Sequence, residues 1–243
     1  MPLQTTVSFD YVRSQKGQAL EFGPTRDITA YSDSPIEFGV GVVYAGASIK
    51  ESYKVRYPNA VSDTFIGLTK YIHKQPRGLD NDFLSVINAP SQSSRYEIGD
   101  PITIRTIGQE FVYAEQAIAP NDPVFLRVIA NGALLAGDFR KDADNASISN
   151  VALTSNVATI TTSVAHGFTI GQSITIAGLT TTALNGTYTI TTVPTATTFT
   201  FAKTNANIAS TPDSGTIARA IAIPNARWIS RNNAAGLAVI ELY

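Results

Sequence analysis

The sequence predicts an all-β chain in which one stretch is inserted into another. Three observations carry this reading. Apolar and polar residues alternate with period two through most of the chain, while helical periodicity is hard to find over any window of helical length. The polarity is supplied by threonine, serine and asparagine rather than charge, since only 15% of the 243 residues are charged, little more than half of the roughly 25% usual in globular domains. With 17 Gly and 12 Pro, these residue types favour extended structure and turns. Thirdly, charge nearly vanishes between Ser147 and Ile217, where only Lys203 and Asp213 are ionisable as acid or strong base.

Strands are expected at Phe38 to Tyr44, Phe65 to Lys70, Pro101 to Ile107, Glu110 to Glu115, Pro123 to Ile129, Ala133 to Ala136 and Leu237 to Leu242. One phrase introduces two of them. Ile98-Gly99-Asp100-Pro101 and Pro120-Asn121-Asp122-Pro123 each offer an Asp to bond its following backbone and a Pro at the first strand position, where a missing N–H is tolerated. Ile107-Gly108-Gln109 and Ala130-Asn131-Gly132 read as tight hairpins, the second of type I′. Within the low-charge stretch the strands are Val157 to Thr162, Ser173 to Ala177, Thr187 to Val193 and Thr198 to Phe201, with a hairpin at Asn185-Gly186. Ordinary composition returns at Arg219. The domain expectation is therefore a host of residues 1–147 plus 218–243, with 148–217 inserted at an exposed hairpin tip, where the ends of an insert lie close together.

Charge and cysteine usage narrow the function. With 18 Lys+Arg against 19 Asp+Glu and no basic run, the chain lacks the electrostatic footprint of duplex-binding or polybasic membrane-binding proteins, so neither nucleic acid nor membrane is an expected partner. The absence of cysteine excludes disulfides, thiolate metal sites and thiol nucleophiles. No signal peptide or long apolar span is read, and the chain is expected to be soluble and unexported.

No constellation for catalysis assembles. Asp213-Ser214-Gly215-Thr216 matches the loop of aspartic proteases, but that chemistry needs two carboxylates sharing a proton and only one copy is present. It reads as a turn. His73 and His166 lack a second ligand at metal spacing, and His166, before Gly167, is expected to bond nearby backbone. Asp138, Asp142 and Asp144 lack the Gly and closing Glu of a calcium loop and read as a solvated hairpin edge. No catalytic residue, metal ligand or cofactor is assigned. Aromatic residues are the remaining candidates, since Phe9, Tyr11, Phe22, Tyr31, Phe38, Tyr44, Tyr53 and Tyr57 crowd the first quarter of the chain. They either anchor a partner surface or fill the chain's own core.

The phrases Ile36-Glu37-Phe38-Gly39-Val40-Gly41-Val42-Val43, Phe65-Ile66-Gly67-Leu68, Tyr96-Glu97-Ile98-Gly99-Asp100-Pro101-Ile102 and Asn121-Asp122-Pro123-Val124-Phe125-Leu126, closing with Ala226-Arg227-Trp228 and Gly236 to Leu242, resemble capsid cement, or decoration, proteins of tailed bacteriophages. The insert has its own likeness. His166-Gly167-Phe168, Gly171 to Gly178, Leu184 to Ile190 and Thr198 to Phe201 are similar to a small outward-facing β-sandwich module of phage virion proteins. The resemblance implies an all-β fold, a β-barrel or β-sandwich host with an inserted small β-sandwich. It also implies a homotrimer on the outer capsid surface of a virion that clamps neighbouring major capsid subunits. The candidate contact residues are Phe9, Tyr11, Arg13 and Phe22 in an arm spanning residues 1 to 25, together with Trp228 and Tyr243. The alternative is host adhesion or carbohydrate binding through the threonine-rich insert.

Overall fold

Nearly all regular structure is strand in the computed structural model, which describes residues 16–20, 23–46, 53–71 and 95–243. The first run comprises β1 (Ala19–Leu20), β2 (Arg26–Ser32), β3 (Ile36–Glu37), β4 (Gly41–Tyr44), β5 (Tyr53–Arg56), β6 (Phe65–Thr69), β7 (Arg95–Tyr96), β8 (Pro101–Ala114), β9 (Phe125–Arg127) and β10 (Phe139–Arg140). The low-charge stretch supplies β11 (Ala146–Thr154), β12 (Val157–Thr162), β13 (Ser173–Ala177), β14 (Gly186–Thr195), β15 (Thr198–Ala202), β16 (Ile208–Pro212) and β17 (Thr216–Ile217). β18 (Ala220–Ala222), β19 (Ala226–Trp228) and β20 (Gly236–Leu242) end the chain. Among the described residues no helix is long and apolar enough to cross a membrane.

β8 is the spine. The two strands expected at Pro101 to Ile107 and Glu110 to Glu115 are one, because Gly108 does not turn the chain back but bends it, at φ +118°. Before the bend, β8 pairs with β2 on one edge and β6 on the other. β2 lies parallel to β5, β5 antiparallel to β4, and β4 antiparallel to β6, so these strands close a ring. Alternation then aims Ala30, Val42, Val55, Ile102 and Ile104 inward, where Phe38 meets Tyr96 and Tyr71 edge to face at 5.0 and 5.1 Å. Beyond the bend, β8 pairs along its length with β20, from Leu242 opposite Gly108 to Gly236 opposite Ala114, and briefly with β1 and β10. This half covers a second core containing Val112, Leu126, Phe139, Trp228 and Ile240.

One turn recurs. In Glu97 to Asp100, Ala119 to Asp122 and Leu135 to Asp138, the Asp carboxylate accepts the N–H three residues earlier while the Asp N–H returns to that residue's carbonyl. The residue before each Asp (Gly99, Asn121, Gly137) has positive φ. The Asp thus bonds backward, correcting the expected forward bond, and leaves Pro101 free to begin β8. Asn131-Gly132 also differs from expectation. The hydrogen-bonded pair is Asn131 with Leu134, so Gly132 (φ +62°) is the first central residue, with Ala133 outside the left-handed region, and Ala133 to Ala136 is not a strand.

β11 to β17 form a second closed path. β11 pairs with β12, then β15, β14, β13 and β17 follow, and β17 returns to β11 through Ala146–Ile217 and Ser147–Thr216. β16 extends the other edge of β11. The β11–β12 turn is Ser155-Asn156, both left-handed at φ +51° and +63°, a type I′ geometry without glycine. Asn185-Gly186 is not itself a tight turn. It ends the longer β13–β14 connection, in which the Asn185 amide holds both N–H and carbonyl of Leu179. The core is Ile160, Phe168, Ile174, Leu184, Phe199 and Phe201 with their neighbours, and it includes Val128 and Ile129 from beyond β9.

Glu110 is a buried exception to the apolar pattern. The register lines it up with Ile240 and, one strand further, Trp228. Among the described residues, neither of its oxygens nor the Trp228 indole N–H has a hydrogen-bond partner. Arg105 Nε is 3.8 Å away but is committed to Asp27 at 3.0 Å and, through Nη1, to the Gln109 carbonyl at 3.0 Å. Burial pushes the Glu110 carboxyl well above its ordinary value of 4.5, against the smaller pull of Arg105. The folded chain therefore holds this proton more tightly than the unfolded chain. The contribution is complete below 4.5 and is lost as pH rises through the elevated value. Glu110→Gln should flatten this decline: urea midpoints of wild type and variant, compared between about pH 5 and about pH 9, should diverge in favour of the variant as pH rises.

Candidate functional site

The residues singled out for chemistry are bound into the fold. Asp213 accepts hydrogen bonds from the N–H and hydroxyl of Thr180 and the N–H groups of Thr181 and Ser214, at 2.7 to 2.9 Å. Desolvation would raise its carboxyl, but these donors hold it well below the usual carboxylate range. The Asp-Ser-Gly-Thr string is a structural turn locking the connection after Leu179. His166 Nδ1 accepts the Phe168 N–H at 2.9 Å across Gly167, matching the expected backbone bond. Its ring stacks on Phe168 at 4.9 Å and meets Phe199 edge-on at 5.3 Å. Burial, reinforced by Arg219, lowers its pKa. His73 lies outside the described residues.

The solvated-edge reading holds for Asp142, whose side chain is 53% exposed, but not for the buried Asp138 or the half-buried Asp144. Asp138 is buried and takes Lys16 Nζ at 2.6 Å. Asp142 and Asp144 join Glu115 in a lattice with Arg127, Arg140 and Arg219. Arg127 forks onto both Glu115 oxygens and reaches Asp144 at 3.0 Å. Arg140 bonds Asp142 at 2.6 Å and Glu115 at 3.0 Å. Arg219 bonds the Asp144 carbonyl at 2.8 Å and carboxylate at 2.9 Å, and approaches the His166 carbonyl at 3.4 Å. All three arginines are at most 7% exposed. The alternation of charged and small residues in 138–144 reads as surface because its partners, Glu115, Arg127 and Arg219, are remote in sequence.

The contact candidates separate. Phe9, Tyr11, Arg13 and Phe22 lie outside the described residues. Trp228 is 0% exposed in the second core, where β19 sets it beside Ile240. Tyr243 is 63% exposed, with the Arg227 guanidinium 6.0 Å over its ring. The early aromatics divide likewise, Phe38 being core while Tyr31, Tyr44 and Tyr53 are exposed. In the low-charge stretch, Phe168, Phe199 and Phe201 are buried and Tyr188 stacks on Phe201 at 4.0 Å, so these rings fill a core rather than line a groove.

The exposed rings border two open depressions that sequence reasoning missed. One, of about 390 Å³, is the mouth of the closed ring, with residues from β2, β4, β5, β6 and β8 including Tyr44, Tyr53 and Ile66. The other, about 370 Å³, runs from Phe65 to Ile221, Pro224 and Tyr243. They share Ile66 and Thr106 and so form one trough. It unites seven strands, β2, β4, β5, β6, β8, β18 and β20, and only the topology reveals it.

Among the described residues the buried charged groups are spent on internal structure, and exposed rings border an open surface suited to making contacts. The chain belongs to the structural cement protein family (E217 gp24/Pam3 gp6), matching it over residues 3–243. No curated protein matches the chain. Family membership gives it a structural, capsid-stabilising role in a phage virion.

Asp144 is the hub that neutralises three buried guanidinium groups, and removing one partner of a buried charge lattice costs about 3 to 5 kcal/mol. Because Asp144 keeps some exposure, the lower end applies. Asp144→Asn should lower the free energy of unfolding by about 3 kcal/mol, measured by urea denaturation.

Proposed function

We propose that the protein binds the outer surface of a phage head as a homotrimer and stabilises contacts between major capsid subunits. The observation that carries this reading is the family match across nearly the whole chain. The trough with its exposed tyrosines and the exposed Tyr243 support it physically, as apolar surface of this kind is used when a partner covers it. Low charge and free strand edges are hazards in a monomer and useful when edges meet across subunits. The arm of residues 1 to 25 is read as lying across another subunit or the capsid floor, with Phe9, Tyr11, Arg13 and Phe22 as its contacts.

In the same reading, 148–217 is an outward-facing inserted module within a host of 1–147 plus 218–243. The closed path of β11 to β17, with its ends paired at Ala146 and Ile217, supports this division. Carbohydrate binding by the module has less support, since its aromatic side chains are spent on its core.

Coupled folding and association give a direct test. The melting temperature should rise with protein concentration and again on adding heads, because both stabilise only the folded form, and Trp228 fluorescence should change with dissociation. A concentration-independent melt at monomer mass overturns the trimer. Replacing 148–217 by a short turn should leave a β-rich host that co-sediments with heads, whereas loss of all β signal would count against the insertion.

A further inference from the structure

The chain's own sequence offers a segment whose chemistry fits the trough. Its floor combines Ile66, Phe65 and Ile221 with the rings of Tyr44 and Tyr53, 6.0 Å apart and edge to face. Arg26, exposed in its wall, has no ion-pair partner among the described residues. Among the described residues the adjoining strand β18 pairs only with β9. Since alternate residues of a strand point their backbone groups to opposite edges, and Ile223 N–H bonds Val124, Ala222 turns its N–H and carbonyl to the unpaired side. An extended segment with apolar residues at alternate positions and one acidic group is the matching chemistry.

Fifteen residues precede Lys16, and among them Val7, Phe9 and Tyr11 alternate with Ser8 and Asp10. In an extended chain the three apolar side chains share one face. Direction decides which copy they serve. β1 is antiparallel to β8, with Leu20 opposite Gln109, Ala19 opposite Glu110, and the Gly17 N–H on the Phe111 carbonyl. Traced toward its N-terminus, the chain therefore runs along β8 away from Thr106 and the trough, held there by Lys16 on Asp138. From Phe111 back to Thr106 is roughly 16 Å at about 3.3 Å per residue, and the residues between Tyr11 and Lys16 span about the same fully extended. Reaching its own trough would require a reversal with no slack. A neighbour's trough needs none.

We propose that the trough is the receptor for residues 7–11 of a second copy, with Phe9 and Tyr11 seated beside Tyr44 and Tyr53 and Asp10 facing Arg26. This rests on the associating role above and assigns the surface through which copies are linked. An apolar anchor flanked by a complementary charge gives such a contact both energy and register.

The chain has no cysteine, so paired single-cysteine variants report one contact at a time. Phe9→Cys mixed with Thr64→Cys, oxidised free and on heads, should give a covalent dimer on a non-reducing gel. Phe9→Cys mixed with Thr204→Cys, which is exposed in the loop between β15 and β16, should not. Adding Tyr53→Ser to the Thr64→Cys chain should lower the dimer yield about tenfold at limiting concentration. An intramolecular link in the Phe9→Cys/Thr64→Cys double variant without dimer would overturn the second-copy assignment, as would no link in either setting or equal linking to Thr204→Cys. Co-sedimentation of the same variants with heads reads the capsid role separately: sedimentation without linking sinks only the trough, and linking without sedimentation sinks only the capsid reading.

Discussion

Three guanidinium groups and three carboxylates meet where the chain leaves one sheet for the other, and the relation between the two halves depends on them. Glu115 comes from the end of the β8 spine, Arg127 from β9, Arg140 from β10, Asp142 and Asp144 from the outgoing link, and Arg219 from the returning one. An apolar joint could be as stable, since buried ion pairs repay their desolvation only when geometry is good. What the lattice adds is direction. Each guanidinium fork fits its carboxylates in one orientation, whereas apolar side chains tolerate sliding.

The same economy runs through the spine. By bending at Gly108 instead of reversing, β8 belongs to both the closed ring and the sheet beyond it, so each core is fixed relative to the other by a single covalent strand. The bend carries a burden, because Glu110 follows it directly and faces apolar neighbours. Its position opposite Ile240, in a row with the unpaired indole of Trp228, concentrates unsatisfied polarity at one place in an otherwise apolar layer.

Much of this plan was legible in the sequence. Alternation located most of the strands, and the charge break fell within two residues of the start of β11. Other features were hidden for identifiable reasons. Ile107-Gly108-Gln109 looks the same whether glycine turns or bends a strand, and the choice is made by β2, β6 and β20, far away in sequence. Ser155-Asn156 adopts left-handed geometry usually signalled by glycine. The acidic run at 138–144 appears solvated until the arginines of β9 and of the return link come into view. The trough was invisible because no local pattern marks residues that converge only when a ring closes.

Ala146 and Ile217 are hydrogen-bonded neighbours. The ends of the low-charge stretch lie side by side there, beside the shared packing of Val128 and Ile129, and the length of a flexible segment between adjacent ends enters its closure cost only logarithmically. Adjacent ends of this kind suit a folded segment whose own termini lie side by side, and the Arg219 guanidinium on Asp144 ties the returning link to the outgoing one beside them.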